Sequence, residues 1–261
     1  MSHLVTEDDT PVDNRFSERQ QRLLPHILFS SWEQGKPFEA LSNVGLFYSL
    51  HDEPPIVPDF MLSLGVEPRP VTSATEDRSY LTWVYGKPPD LAIEVVSNKE
   101  GEELGRKLDI YAKVRVTYYV VFDPFLMLGE RELRAFRLME GRYLEMVPAT
   151  WFPEVGLGLT LWEGTIEDVQ ARWLRFIDET GQLLATGTEM AEMAIAKLER
   201  AKAEAENSKA EAENSKAEAE YSKAEAEYSK AEAEYSRAEA KNSKAEIERL
   251  KQRLREAGLE P

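Results

Sequence analysis

The positions in this 261-residue chain that could do chemistry are acidic side chains set among apolar ones. Asp59 lies within Ile56-Val57-Pro58-Asp59-Phe60-Met61-Leu62, and Glu94 within Leu91-Ala92-Ile93-Glu94-Val95-Val96. An ionised carboxylate in such company is costly unless it is paired, hydrogen-bonded or bound to a metal. Two carboxylates converging from neighbouring strands make a hard-oxygen donor set. Mg²⁺ takes up such a set, with one or two carboxylates completed by water and phosphate. The residues also admit plain structural roles. Asp59 and Asp90 both follow proline, where an aspartate ends a turn, and Glu94 can pair with a lysine. His3, His26 and His51 show no ligand spacing. No glycine-rich phosphate loop or nucleophile elbow is present.

Several elements must position these acids. Leu91 to Val96 is apolar on both faces apart from Glu94, which suits a strand covered on both sides. Lys99 to Val114 follows with helical periodicity, with Leu104, Leu108, Tyr111 and Ala112 on one face. Thr117-Tyr118-Tyr119-Val120-Val121-Phe122 is an aromatic and β-branched run ended by Asp123-Pro124. Strand, helix, strand in this compass predicts a βαβ crossover between parallel neighbours.

Upstream, Asn14 reads as the N-cap of a helix reaching about Glu33, with Pro25 placed to kink or split it. Strands are expected at 45–50 and 56–64, with a short strand or edge at 80–85. Downstream, 132–139 and 143–147 read as a hairpin around Glu140-Gly141. Residues 151–162 read as a closing segment, and 166–176 as a short strand or helix.

Residues 1–13 read as a disordered leader, 14–186 as one domain and 187–261 as a separate charged helix. From Lys202 the chain repeats Lys-Ala-Glu-Ala-Glu-Asn-Ser every seven residues, later with Tyr221, Tyr228 and Tyr235 at the sixth place. Strong helix formers in a heptad repeat make a candidate coiled coil. Its seam, Ala205, Ser208, Ala212 and Ser215 onward to Ile247, Leu250 and Leu254, is mostly small, so a solitary charged helix is the alternative to weak self-association. A helix from Thr186 to Ala257 would be roughly 105 Å long at 1.5 Å per residue.

The net charge of −16 argues against non-specific attraction to a polyanion, so a nucleic-acid role needs a local basic patch or a bridging metal. Arg106, Lys107, Lys113 and Arg115 offer such a patch, as do the hairpin's Arg131, Arg134, Arg137 and Arg142, although alternating arginines also suit a solvated face. The absence of cysteine excludes disulfides and fits a reducing cytoplasm. No apolar run approaches the roughly 20 residues of a membrane span. The expectation is a cytoplasmic protein without membrane contact.

Pro89 to Ser97, Gly105-Arg106-Lys107, Tyr111 and Val116 to Pro124 together resemble the core pattern of the Uma family. These are candidate restriction endonucleases of the PD-(D/E)XK nuclease superfamily. The resemblance extends upstream to Val57-Pro58-Asp59-Phe60 and downstream to Gly181, covering about 14–186. It implies an α/β (α+β) restriction-endonuclease-like fold, a mixed central sheet flanked by helices, here followed by the long C-terminal helix. It also implies that Asp59 and Glu94 bind a divalent ion, Mg²⁺ or Mn²⁺, with the Val95 carbonyl as a further ligand. The superfamily's lysine, two residues after the second acid, is replaced by Val96. The Uma family carries a lysine on the next helix, and Lys107 matches that place. The activity implied is hydrolysis of DNA phosphodiester bonds; the heptad repeat of 187–261, not the resemblance, suggests a homodimer or higher homo-oligomer. The alternative is a catalytically silent scaffold of the same fold that acts through its helix.

Overall fold

The computed structural model describes residues 14–50, 53–72, 74, 77–98 and 102–258. The segment expected to be a disordered leader lies outside them. Asn14 caps the first helix, α1 (Arg15–Ser31), its side chain accepting from the amides of Phe16 and Ser17 at 2.9 Å. α1 buries Leu23, Leu24, Ile27 and Leu28 and runs unbroken through Pro25, so neither a split nor a stop occurs there. The reason lies outside the helix. Proline has no N–H to give the carbonyl of Gln21, and the hydroxyl of Ser42 donates to that carbonyl instead, at 2.8 Å.

The central sheet has six strands in the order β1 (Phe38–Leu41), β3 (Phe60–Leu64), β5 (Leu91–Val95), β6 (Tyr118–Phe122), β7 (Leu133–Met139) and β8 (Arg142–Met146). β5 and β6 are parallel, as the crossover requires, and the other neighbours are antiparallel. This mixed sheet flanked by helices is consistent with a restriction-endonuclease-like fold. The strand expected at 45–50 shrinks to β2 (Leu46–Phe47), parallel to β4 (Tyr80–Leu81), and a helical turn, α2 (Thr82–Tyr85), follows. The crossover helix α3 (Arg106–Val114) begins later than its periodicity suggests, after a turn through Glu103 to Gly105. Lys99 lies outside the described residues.

β5 is covered on both sides, as its composition predicts. Leu91, Ile93 and Val95 join α1 in one core, while Ala92 and Val96 join Tyr111 and Val114 of α3 in the other. A second sheet lines the first core: β9 (Trp151–Phe152), β10 (Leu157–Ile166) and β11 (Val169–Ile177), in the order β11-β10-β9. The long β10–β11 hairpin replaces the closing segment and the short strand or helix expected there. β11 is an edge of this sheet, and α1 closes it. Gln20, fully buried, donates to the carbonyl of Leu174 and accepts from its amide, both at 2.9 Å.

Contacts divide the chain into Met1–Glu192 and Met193–Pro261. The last helix, α4 (Gly187–Glu256), starts with a capping box: Glu189 N–H donates to Thr186 Oγ1, and Thr186 N–H donates to Glu189 Oε2 at 2.7 Å. Glu189 also receives two hydrogen bonds from the buried Arg175 guanidinium, at 2.8 and 2.7 Å. Beyond Glu192, α4 buries no residue. Among the described residues no helix is long and apolar enough to cross a membrane.

Candidate active site

The antiparallel register of β3 and β5, Phe60 opposite Ile93 and Met61 opposite Ala92, sets Asp59 opposite Glu94 when continued by one residue. Asp59 occupies the bend just before β3, so it begins the strand rather than lying inside it. Its Oδ2 accepts from the Val95 amide at 2.6 Å and its Oδ1 from Gln21 Nε2 at 2.8 Å. Gln21 accepts in turn from Asn43 Nδ2 at 2.5 Å. One carboxylate thereby ties α1, the start of β3 and the end of β5 together.

Glu94 faces α3 and is completely buried. Lys107 Nζ donates to its Oε2 at 2.9 Å and the Tyr111 hydroxyl to its Oε1 at 2.5 Å. Lys107 and Tyr111 are four residues apart on α3, the spacing that puts two side chains on one helix face. Lys107 also reaches Oε1 of Glu103 at 3.3 Å, and Tyr119 donates to the Glu103 carbonyl at 2.9 Å. Burial pushes the Glu94 carboxyl above the usual carboxylate range, against the pull of Lys107 and Tyr111. Burial also works against the charge on Lys107. The surrounding acids, Glu94 first and then Glu103 and Asp59, outweigh it and hold the ammonium above its ordinary value. Tyr111, raised by its own burial, keeps its proton and donates.

Val96, where the superfamily would have its in-line lysine, is fully buried in the α3-side core. The ammonium that meets Glu94 comes from α3 instead. Asp90 turns out to be structural, accepting from the Leu64 amide at 2.8 Å and from Lys87 at 2.5 Å. A cleft of about 460 Å³ adjoins the cluster, with Lys107 and Arg106 on one side and Tyr48, Glu53 and Ile56 on the other. Of the other basic residues, Lys113 pairs with Glu53 at 2.7 Å, Arg131 with Glu145 at 2.7 Å, and Arg137 with Glu154. That pairing matches a solvated face.

The donor set fits a divalent cation. Glu94 and Glu103 set two buried carboxylates on one ammonium, and Asp59 adds to the negative field at Lys107. Each carboxylate oxygen of Glu94 accepts one protein donor and has a second lone pair to offer. Among the described residues no three acidic or histidine groups stand close enough to hold an ion alone. Two carboxylates with water and phosphate are what Mg²⁺ requires.

A family model described as "Uma2: Putative restriction endonuclease" matches residues 7–167, more than half of the chain and every member of the cluster. The chain belongs to the Uma2 family. Among curated proteins and among solved structures, nothing matches. Uma2 membership supports a nuclease-like function. The match ends between β10 and β11, so β11 and α4 lie beyond it.

Sequence reasoning singled out Asp59, Glu94, Val95 and Lys107; in the Uma2 structure Asp59 bonds the Val95 amide and Lys107 bonds Glu94, two groups joined through the Glu94–Val95 peptide. It missed Gln21, Glu103 and the polar role of Tyr111. The four-residue step from Lys107, together with its place in the family pattern, was the signal for Tyr111. Nothing local marks Gln21, which lies 38 residues before Asp59.

Proposed function

We propose that the protein is a Mg²⁺-dependent endonuclease that hydrolyses phosphodiester bonds of DNA. The observation that carries this reading is the convergence of Asp59 and Glu94 in cross-strand register with Lys107 at 2.9 Å from Glu94. Asp59 and Glu94 would hold the ion, with the Val95 carbonyl as a further ligand; Mn²⁺ would substitute. When bound, the ion supplies Lewis-acid activation of the phosphoryl group and a lowered pKa for water.

The chain's own residues have separate tasks. Gln21 and the Val95 amide fix the Asp59 carboxylate, and Tyr111 fixes Glu94. Lys107, lining the cleft, presents a positive charge where an attacked phosphate would gain negative charge. Preorganised charge of this kind is worth about 10²–10³ in rate when a single donor is removed. The test is incubation of plasmid and single-stranded DNA with the purified protein in Mg²⁺ or Mn²⁺, beside Glu94→Ala and Lys107→Ala. Cleavage by the parent chain that both substitutions abolish is expected. Cleavage that survives both overturns the site.

A second reading, a catalytically silent scaffold of the same fold, draws on the net charge of −16 and on the buried Val96. Absence of cleavage under every condition selects it.

For the tail we propose weak parallel self-association. With Ala205 and Ser208 as core positions, Glu204 falls opposite Lys209 of the partner subunit, and the pattern repeats each heptad through Glu232 and Arg237. Charge complementarity at these flanking positions supports pairing, while the small Ala and Ser core keeps it weak.

A further inference from the structure

Glu103 is 4% exposed, and its Oε2 has no hydrogen-bond partner among the described residues. A buried, unsatisfied carboxylate oxygen is unfavourable, because nothing compensates its lost hydration. Its other oxygen lies 3.3 Å from Lys107 Nζ, a longer contact than the 2.9 Å between Lys107 and Glu94. One ammonium thus stands between two buried carboxylates, closer to Glu94, while the other acid is left half satisfied. The backbone at Glu103 is held by Tyr119, so this carboxylate does not drift away with the turn that carries it.

We propose that Glu103 is a positioning residue that receives Lys107 when Glu94 takes up a divalent cation. The inference rests on the metal-dependent reading of Asp59 and Glu94. A dication arriving at Glu94 meets an ammonium already bonded to that carboxylate, and like charges at such range repel. Lys107 needs somewhere to go that keeps its charge compensated inside the protein. Oε2 of Glu103 is that place. A shift of the ammonium toward Glu103 relieves the repulsion, satisfies the orphaned oxygen and leaves the positive charge beside the cleft. Glu103 acts through Lys107 and is not itself a ligand of the ion, in keeping with the lack of a three-acid cluster among the described residues.

The test is a double-mutant cycle read by Mn²⁺ binding calorimetry on the full chain without DNA. It uses the parent, Glu103→Gln, Lys107→Met and the double variant, with Glu94→Gln as the site control. Glu103→Gln is expected to weaken Mn²⁺ binding about tenfold when Lys107 is present and by less than about twofold in the Lys107→Met background. Equal weakening in both backgrounds means Glu103 acts on the ion directly, and no weakening in either means it does not act. Each result overturns the proposal while leaving the site intact. If the parent and Glu94→Gln bind Mn²⁺ alike, the metal site itself fails and takes the proposal with it. Should Glu103→Gln not fold, Glu103→Asp carries the same comparison: it moves the charge away from Lys107, so a weakening of intermediate size, dependent on Lys107, is expected.

Discussion

Glu94 has no exposed surface, and its two oxygens are held by one charged and one neutral donor. The neutral donor, Tyr111, separates structural from chemical contributions. Tyr111→Phe removes one hydrogen bond to a buried carboxylate and keeps the ring stacked on Tyr119. A loss of about 1–3 kcal/mol in urea-unfolding free energy is expected, with Mn²⁺ binding retained. The acids were legible because a carboxylate inside an apolar run demands an explanation. Lys107 was legible only through the family pattern, since on a helix surface its type says little. Glu103 gave no local sign, because its burial depends on the turn that precedes α3. Asp90 shows the limit of the criterion: a post-proline aspartate near the same strand holds a loop amide and Lys87.

At the scale of elements, the parallel pair β5–β6 and the hairpin β7–β8 followed from periodicity and turn residues. The β10–β11 hairpin did not, since the proline and glycines between Trp151 and Trp162 read as loop punctuation. Pro25 does not split α1, and the donor that replaces its missing N–H, Ser42, is 21 residues from the carbonyl it serves. Ser42→Ala leaves that buried carbonyl short of a donor and should cost about 1–2 kcal/mol. Combining it with Pro25→Ala, which restores an N–H, should recover most of the loss in the same urea titration. The start of α4 responds to acid. Hydrogen bonds from Arg175 first hold Glu189 below its ordinary pKa. A depressed carboxylate contributes stability that is fully present above the unfolded-state value, 4.5, and lost as pH falls through the folded value. Thermal melts of the parent chain should therefore fall more steeply below that window than those of Glu189→Gln, which has no charge to lose.

At the scale of the whole molecule, α4 is a helix whose stability past Glu192 owes nothing to burial within the chain. It relies on propensity, on the capping box and on charge pairs spaced along one turn, each worth about 0.2–0.5 kcal/mol. Sedimentation of the full chain beside a chain ending at residue 186 tests the proposed pairing. The full chain should show concentration-dependent association and the shorter one none; the same monomer in both ends the coiled-coil reading. The Gln20 clamp on Leu174 has a consequence of another kind. An open strand edge is a template on which a second molecule can add its own strand, the first step of edge-to-edge aggregation. Here one amide side chain from α1 fills both backbone positions that such a strand would need at Leu174. At Leu174 the protection of the β11 edge therefore comes from a glutamine in the first turns of a helix about 150 residues earlier in the chain.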